Sequence, residues 1–142
     1  MSIEIAYPYQ INIYGQTPMR LTSFIFLYYS AKLFETNFVL SMILLCNFIT
    51  SFNIHKKCIV FDATCKGLFY DHVAILLWFL YLSYLLCVSD TPLTNKTYAV
   101  IFAMLTLFMS KLRKLFVFRH PVRDMIHCST HIFGILGTNL LV

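Results

Sequence analysis

The chain has 142 residues and a formal net charge of +5; 59% of its residues are hydrophobic and only 12% are charged. Soluble proteins carry roughly 25% charged residues, and so few charges cannot solvate so much apolar surface. The composition therefore excludes an ordinary soluble domain and a disordered chain, and it predicts an integral membrane protein.

Five apolar segments follow a mixed N-terminal region. Residues 1–20 are interrupted by Pro8, Gly15 and Pro18, which predicts a membrane-surface arm and not a cleavable signal peptide. Residues 21–142 are expected to form an all-α, polytopic transmembrane bundle of about five spans. The apolar segments are residues 21–34, 36–54, 68–89, 97–115 and 125–142. The first is short of the ~20 residues that cross a bilayer, so it is either a short span or a re-entrant or interfacial helix.

Basic residues are concentrated in alternate connections between these segments. If all five segments cross the membrane, nine of the eleven Lys and Arg residues fall on one side: Arg20, Lys56, Lys57, Lys66, Lys111, Arg113, Lys114, Arg119 and Arg123. The positive-inside rule then predicts that this side, with the N-terminus, is cytoplasmic, in either the plasma membrane or an endomembrane. The basic connection before the fifth segment is expected to contact anionic lipid heads and not nucleic acid.

Polar residues recur at helical spacing within the apolar segments. Ser51 and His55 are four residues apart at the end of the second segment, and His127 and His131 are four apart in the fifth. Residues four apart share one face of a helix. Asp71 lies near the start of the third segment. In the predicted topology all five residues lie at a similar depth on the cytoplasmic side, which predicts one polar site within the membrane.

Three imidazoles with an open position are a common arrangement for catalytic zinc. A nearby carboxylate can hold the water on the metal or accept its proton, since zinc lowers the pKa of that water to about 7. The same residue types also have structural roles, because polar residues near helix ends anchor at the interface and intramembrane histidines make interhelical hydrogen bonds. From the spacing alone both interpretations stay open.

The order and spacing of these residues resemble a membrane superfamily that includes the alkaline ceramidases, the adiponectin and progestin receptors, the hemolysin III proteins and the myomaker branch. Its marks are Ser-x3-His at the end of one span, Asp opening the next, and His-x3-His in the last. The DHVAI run that begins at Asp71 is similar to a run in hemolysin III proteins, and HIFGILG from His131 is similar to the segment that follows the last His of the family. The matched blocks cover about half of the chain.

The resemblance implies a role for each residue of the predicted site. His55, His127 and His131 would bind zinc. Asp71 would hold the metal-bound water, and Ser51 would hydrogen-bond beside the metal or in the transition state. The family has seven spans, with three between the Asp-bearing helix and the His-pair helix, whereas this chain has room for one. Both numbers are odd, so the His pair still reaches the same side, but one flank of the site is expected to be open.

Three functions stay open from the sequence. The chain is a zinc-dependent hydrolase of a lipid amide or ester, a receptor-like or membrane-remodelling relative without activity, or an accessory subunit of a larger membrane complex. In the third case haem would lie between His55 and one of the C-terminal histidines. The expected partners are membrane lipids, together with other copies of the chain or the subunits of a larger complex.

Three further residues are predicted to have structural roles, at the membrane interface or in helix packing. His72 lies about 100° around the helix from Asp71 and is expected to be interfacial. Gly134 and Gly137, close together in the last segment, are expected to allow close packing of helices. These residues are therefore left out of the predicted metal site.

Overall fold

The computed structural model of the chain describes residues 17–57, 66–116 and 120–142, which form helices and short connections with no strand among them. The α-helices are α1 (Thr17–Leu33), α2 (Phe38–Lys57), α3 (Lys66–Val88), α4 (Leu93–Leu112) and α5 (His120–Asn139), and a 3-10 turn (Arg113–Phe116) follows α4. The all-α prediction is confirmed for these ranges. Residues 1–16 of the predicted arm lie outside them, and residues 17–20 begin α1 instead of belonging to an arm.

Local chemistry explains where several helices begin. Asn37 precedes α2, and its side-chain oxygen accepts the backbone N–H of Leu40 at 3.1 Å, which is a helix N-cap. The hydroxyl of Tyr81 donates to the same oxygen at 2.9 Å and so ties the start of α2 to α3. Pro92 precedes α4, and Pro121 is the second residue of α5, where the missing N–H costs no helical hydrogen bond.

The helices form an incomplete ring. α2 packs against both α1 and α3, α1 also packs against α5, and α5 packs against α4. The order around the ring is therefore α3, α2, α1, α5, α4. Within the described ranges α3 and α4 make no extensive contact with each other, although they are consecutive in the chain. The ring thus has an open flank between α3 and α4.

The core centres on Trp78, which extends from α3 towards α5. Its indole N–H donates to the hydroxyl of Thr138 at 3.1 Å, and its ring meets Phe26 edge-on with centroids 5.3 Å apart. A Cβ on Gly134 would overlap the Trp78 ring, and a Cβ on Gly137 would lie 3.3 Å from the carbonyl oxygen of Ala99 in α4. The prediction that these glycines allow close helix packing is confirmed.

Small polar side chains occupy buried positions between the helices. The hydroxyls of Ser23 and Ser51 lie 3.0 Å apart, and Ser41 donates to the carbonyl oxygen of Ser30 at 2.7 Å, so α1 and α2 are joined twice. The Asn47 amide donates across to α3. Large apolar side chains are instead exposed on the outside; examples are Leu21, Tyr28, Leu76, Leu80, Met104 and Phe108. The interior of the ring thus contains polar side chains beside a hydrophobic core, while many large apolar side chains face outwards.

One helix meets the length and composition needed to cross a membrane. Among the described residues this stretch is Phe69–Val88 in α3, and α2 contains a shorter apolar stretch, Phe38–Ile54. Only 22% of the most apolar part of α3 is buried inside the protein, whereas the core helix of a soluble protein is mostly buried. The structure therefore indicates one membrane-capable helix, and length and composition alone do not confirm the predicted five spans.

Replacing Gly134 by Ala is expected to destabilise the protein. The added methyl group would overlap the buried Trp78 ring, so the ring or α5 must move, and overpacking of this kind costs about 1–3 kcal/mol. Thermal melting of the purified protein in detergent would show a lower midpoint for Gly134→Ala than for wild type. Ile132→Ala, at an exposed position of the same helix, is the matched control. An unchanged midpoint for Gly134→Ala would contradict the proposed close contact.

Candidate functional site

A cavity of about 290 Å³ lies at the open flank and is lined by residues from all five helices. Four of the five predicted site residues line it: Ser51, Asp71, His127 and His131. The fifth, His55, lies in the last turn of α2, and its side chain is outside the described part of the structure. The fold therefore brings together the four predicted site residues whose side chains lie in the described part of the structure. Their chemical role stays a prediction.

The helix ends explain this convergence. Ser51 lies in the last third of α2 and Asp71 in the second turn of α3, so the two helix ends that flank residues 58–65 meet at one end of the ring. Arg113 follows α4, and His127 lies in the first half of α5. α5 begins before the predicted segment 125–142, so the His pair lies inside the helix and not at its start.

Hydroxyl groups of neighbouring helices orient Ser51 and Asp71. Ser51 is buried, and its hydroxyl oxygen pairs with that of Ser23 in α1. The carboxylate of Asp71 is half-buried and lies 3.2 Å from the hydroxyl of Thr50, whose single proton has the carbonyl oxygens of Cys46 and Asn47 as further acceptors at 3.0 and 3.3 Å. Since Thr50 and Ser51 are adjacent on α2, one turn of that helix contacts both α1 and α3.

Thr22 lies beside His131. Its hydroxyl oxygen is 3.0 Å from Nδ1 of His131 and 3.1 Å from the carbonyl oxygen of Met19. A hydroxyl has one proton to donate, so if it donates to Met19 its oxygen accepts from Nδ1–H of His131, and if it donates to His131 then Nδ1 is the acceptor. In the first tautomer Nε2 is the acceptor nitrogen, which is the one that a metal would bind.

Arg113 contacts the other histidine of the pair, His127. The guanidinium of Arg113 donates to Nδ1 of His127, since a guanidinium has no acceptor atom. Nδ1 is then the acceptor nitrogen, and the hydrogen of the neutral ring is on Nε2. The rings of His127 and His131 meet edge to face with centroids 4.8 Å apart. A metal ion on either nitrogen of His127 would displace the hydrogen on Nε2 or the hydrogen bond from Arg113.

Two of the three predicted zinc ligands adjoin in the cavity. The ring centroids of His127 and His131 are 4.8 Å apart, and Arg113 would have to leave Nδ1 of His127 before that nitrogen could bind a metal. In the part of the chain whose side chains are described, no three His, Cys, Asp or Glu residues lie close enough together to hold a metal. The side chain of the third predicted ligand, His55, lies outside that part. Zinc binding by these residues therefore stays a prediction.

Three further ionisable residues line the cavity and were not included in the predicted site. Lys111 and Arg113, at the end of α4, line the cavity, whereas the sequence predicted that this basic stretch contacts lipid heads. His72 also lines it, beside Asp71, although its side chain is exposed as expected of an interfacial residue. No spacing rule links Arg113 to His127 across a 3-10 turn and a connection. Only the three-dimensional fold reveals their contact.

A second, shallow cavity of about 50 Å³ adjoins the first along the open flank. Trp78 and Phe79 line both cavities. The rest of its wall is almost entirely apolar and includes Leu82 and Leu86 of α3, Ala103 of α4 and Gly137 of α5. We call this second cavity the apolar furrow. A polar cavity and an apolar furrow thus lie end to end between α3 and α4.

Comparisons with known proteins do not identify the chain. No protein-family model, curated protein or solved structure matches it. The resemblance to the ceramidase, adiponectin-receptor and hemolysin III superfamily therefore rests on the motifs around Ser51, Asp71 and His127, and it stays a prediction.

Replacing Thr22 by Val is expected to change the tautomer equilibrium of His131. Val has the shape of Thr but no hydroxyl, so Nδ1 of His131 loses the hydroxyl that lies 3.0 Å from it. Nitrogen-15 NMR of labelled imidazoles would show different proportions of the Nδ1–H and Nε2–H forms of His131 in wild type and in Thr22→Val. Thr97→Val, at an exposed position of α4, is the control. An identical His131 signal in wild type and Thr22→Val would contradict a hydrogen bond between the two residues.

Proposed function

We propose that the chain is a multi-pass membrane protein of about five spans whose polar cavity, near the cytoplasmic face, binds zinc and hydrolyses a lipid amide or ester. The observation that carries this proposal is the convergence of Ser51, Asp71, His127 and His131 on one cavity. These are the residues that the superfamily resemblance assigns to such a site. Two further features, the apolar outer surface and the positions of the helix ends, support the membrane part of the proposal.

The distribution of polar and apolar side chains supports several spans. Serine and asparagine side chains join the helices inside, while leucine, phenylalanine and methionine are exposed outside. This is the arrangement expected in lipid, where small residues and interhelical hydrogen bonds mediate packing and apolar side chains face the acyl chains. α4 and α5 have 20 residues each, which is roughly 30 Å of helix and matches a hydrocarbon core of about 30 Å.

The positions of the helix ends support a cytoplasmic N-terminus. The cavity is lined by residues from the end of α2, the start of α3, the end of α4 and the first half of α5. These four helix segments therefore lie at one end of the ring. Lys111 and Arg113 lie at this end. At the other end the ammonium of Lys32, in the last turn of α1, donates to the side chain of Asn139, the last residue of α5, at 3.5 Å. The basic end faces the cytoplasm by the positive-inside rule.

In the proposed site His55, His127 and His131 hold the metal. When bound there, zinc supplies the Lewis acidity that makes hydrolysis of an amide or ester feasible at neutral pH. Asp71 would hold the attacking water and accept its proton, and the hydroxyl of Thr50 lies within hydrogen-bond distance of its carboxylate. Ser51 provides a hydroxyl at the buried side of the cavity, where it can stabilise developing negative charge.

A second candidate is a non-enzymatic relative with the same fold, acting as a receptor-like or membrane-remodelling protein. The contact that favours it is the one between Arg113 and His127, because a guanidinium in that position excludes the metal from His127. In this case the polar residues stabilise the helix packing. An accessory subunit with haem at His55 and one C-terminal histidine is a third outcome of the metal test below.

We predict that the connections alternate between the two sides of the membrane. In a background with the native cysteines replaced by serine, Glu35→Cys and Asp90→Cys should react with an impermeant maleimide only from the outer or lumenal side. Lys57→Cys and Arg119→Cys should react only after permeabilisation, because the basic connections are cytoplasmic. Labelling of Glu35→Cys and Arg119→Cys from the same side would contradict the five-span topology.

We predict about one zinc ion per purified chain, because three imidazoles and one open position form a catalytic zinc site. His127→Ala and His131→Ala should each lower the zinc content strongly, as measured by mass spectrometry of the metal. His72→Ala is the matched control, since His72 lines the same cavity but is outside the predicted ligand set. Asp71→Asn should keep the metal and lose lipid hydrolysis.

Other outcomes of the metal measurement distinguish the candidates. A metal-free wild-type protein that is correctly folded would favour the non-enzymatic relative. A red preparation with a Soret absorption band would identify haem and overturn the zinc proposal. Equal zinc content in wild type and His127→Ala would remove His127 from the ligand set.

A further inference from the structure

We propose that the polar cavity binds the anionic head of a single-chain amphiphile, a carboxylate or phosphate, at Arg113 and Lys111, and that the acyl chain lies in the apolar furrow. This inference rests on the proposed membrane location of the chain, and it deepens the proposed function by naming the chemical class of its ligand. It does not depend on the presence of zinc.

The charge of the cavity wall favours an anion. Lys111 and Arg113 line the cavity, and Asp71 is the one carboxylate among the described lining residues. Among the described residues no ion pair closer than 4.0 Å joins Lys111 or Arg113 to a carboxylate, although Arg113 and Asp71 attract each other across a longer distance. With neutral histidines the wall carries two positive charges against one negative charge. Outside bulk water, such an excess attracts an anionic ligand strongly.

The chemistry of Arg113 fits an oxyacid head. A guanidinium has five N–H donors in a planar fork, and the contact of Arg113 with Nδ1 of His127 uses a neutral acceptor. Carboxylate and phosphate oxygens are stronger acceptors and match the fork in a bidentate manner. An anionic head is therefore expected to replace His127 as the partner of Arg113.

The size of the cavity and the position of the furrow require an amphiphile. A volume of about 290 Å³ is at the lower end of the range for small-molecule cavities, about 300–1,000 Å³, so it accommodates a head group and not a whole lipid. The apolar furrow continues from the cavity past Trp78 and Phe79. It lies on the flank where α3 and α4 do not meet, so an acyl chain can enter from the bilayer. The furrow has a volume of about 50 Å³, which is too small for more than one acyl chain.

The test measures binding of four probes to the full chain, purified in a neutral detergent and treated with a chelator. The probes are oleoyl lysophosphatidate, oleate, monooleoylglycerol and inorganic phosphate. We expect the anionic amphiphiles to bind about tenfold to a hundredfold more tightly than the neutral glyceride, from charge-assisted hydrogen bonds. The ratio between lysophosphatidate and oleate identifies the preferred head.

Four variants locate the head. Arg113→Gln should abolish the preference for the anionic amphiphiles, Arg113→Lys should keep part of it, and Lys111→Gln should weaken it less than Arg113→Gln does. Lys96→Gln removes the same charge at the opposite end of the ring and should leave the preference unchanged. Thermal melting is the control for folding, and Arg113→Lys is the variant that retains the charge.

Two results would overturn the proposal. The first is equal affinity for oleate and its neutral glyceride, and the second is an equal loss of preference in Lys96→Gln and Arg113→Gln. Inorganic phosphate that binds as tightly as lysophosphatidate would overturn the role of the furrow. Because the protein is metal-free in this experiment, its failure is distinguishable from a failure of zinc binding, which is measured on the untreated protein.

Discussion

The contact of Trp78 with α5 determines the geometry of the whole site. α3 has α2 as its principal packing neighbour, and its link to α5 is the indole ring of Trp78, which lies against Gly134 and donates to Thr138. The same ring is part of the wall of both cavities. If α3 moved away from α5, Asp71 would be separated from the His pair. A core residue that forms part of the cavity wall therefore sets the distance between the two halves of the proposed site.

Hydroxyl groups on α1 and α2 fix the orientation of the polar residues in the cavity. Thr22 holds His131, Thr50 holds Asp71, and Ser23 holds Ser51. Short side chains lose little conformational entropy when they are ordered, so they orient larger groups at low cost. In an apolar environment an unsatisfied polar group costs several kcal/mol, which explains why such hydroxyls accompany each of these residues. The same interactions stabilise the helix packing, so they are needed by an enzyme and by an inactive relative alike.

The sequence predicts the helical fold class and the meeting of distant polar residues, because both depend on periodicity and on the order of helix ends. Ser51, Asp71, His127 and His131 come to one cavity because four consecutive helices alternate in direction. The roles of Thr22 and Arg113 were not predictable in the same way. Thr22 is a polar residue in an apolar segment, and no motif distinguishes it. Arg113 reaches His127 because a 3-10 turn follows α4, and hydrophobic periodicity does not reveal such a turn. Charge counting placed Arg113 at the correct end but not in the cavity.

The pairing of Arg113 with His127 links the two proposed ligands of the cavity. Zinc requires a lone pair of His127, and Arg113 donates to one nitrogen of that ring while the other carries its hydrogen. An anionic head that binds Arg113 would draw the guanidinium away and leave His127 able to change its tautomer. Metal and anion would then strengthen each other's binding, since a coupling between two sites acts equally in both directions. On this argument Arg113, a cation that at first opposes the metal site, would be the group through which an anionic lipid strengthens metal binding.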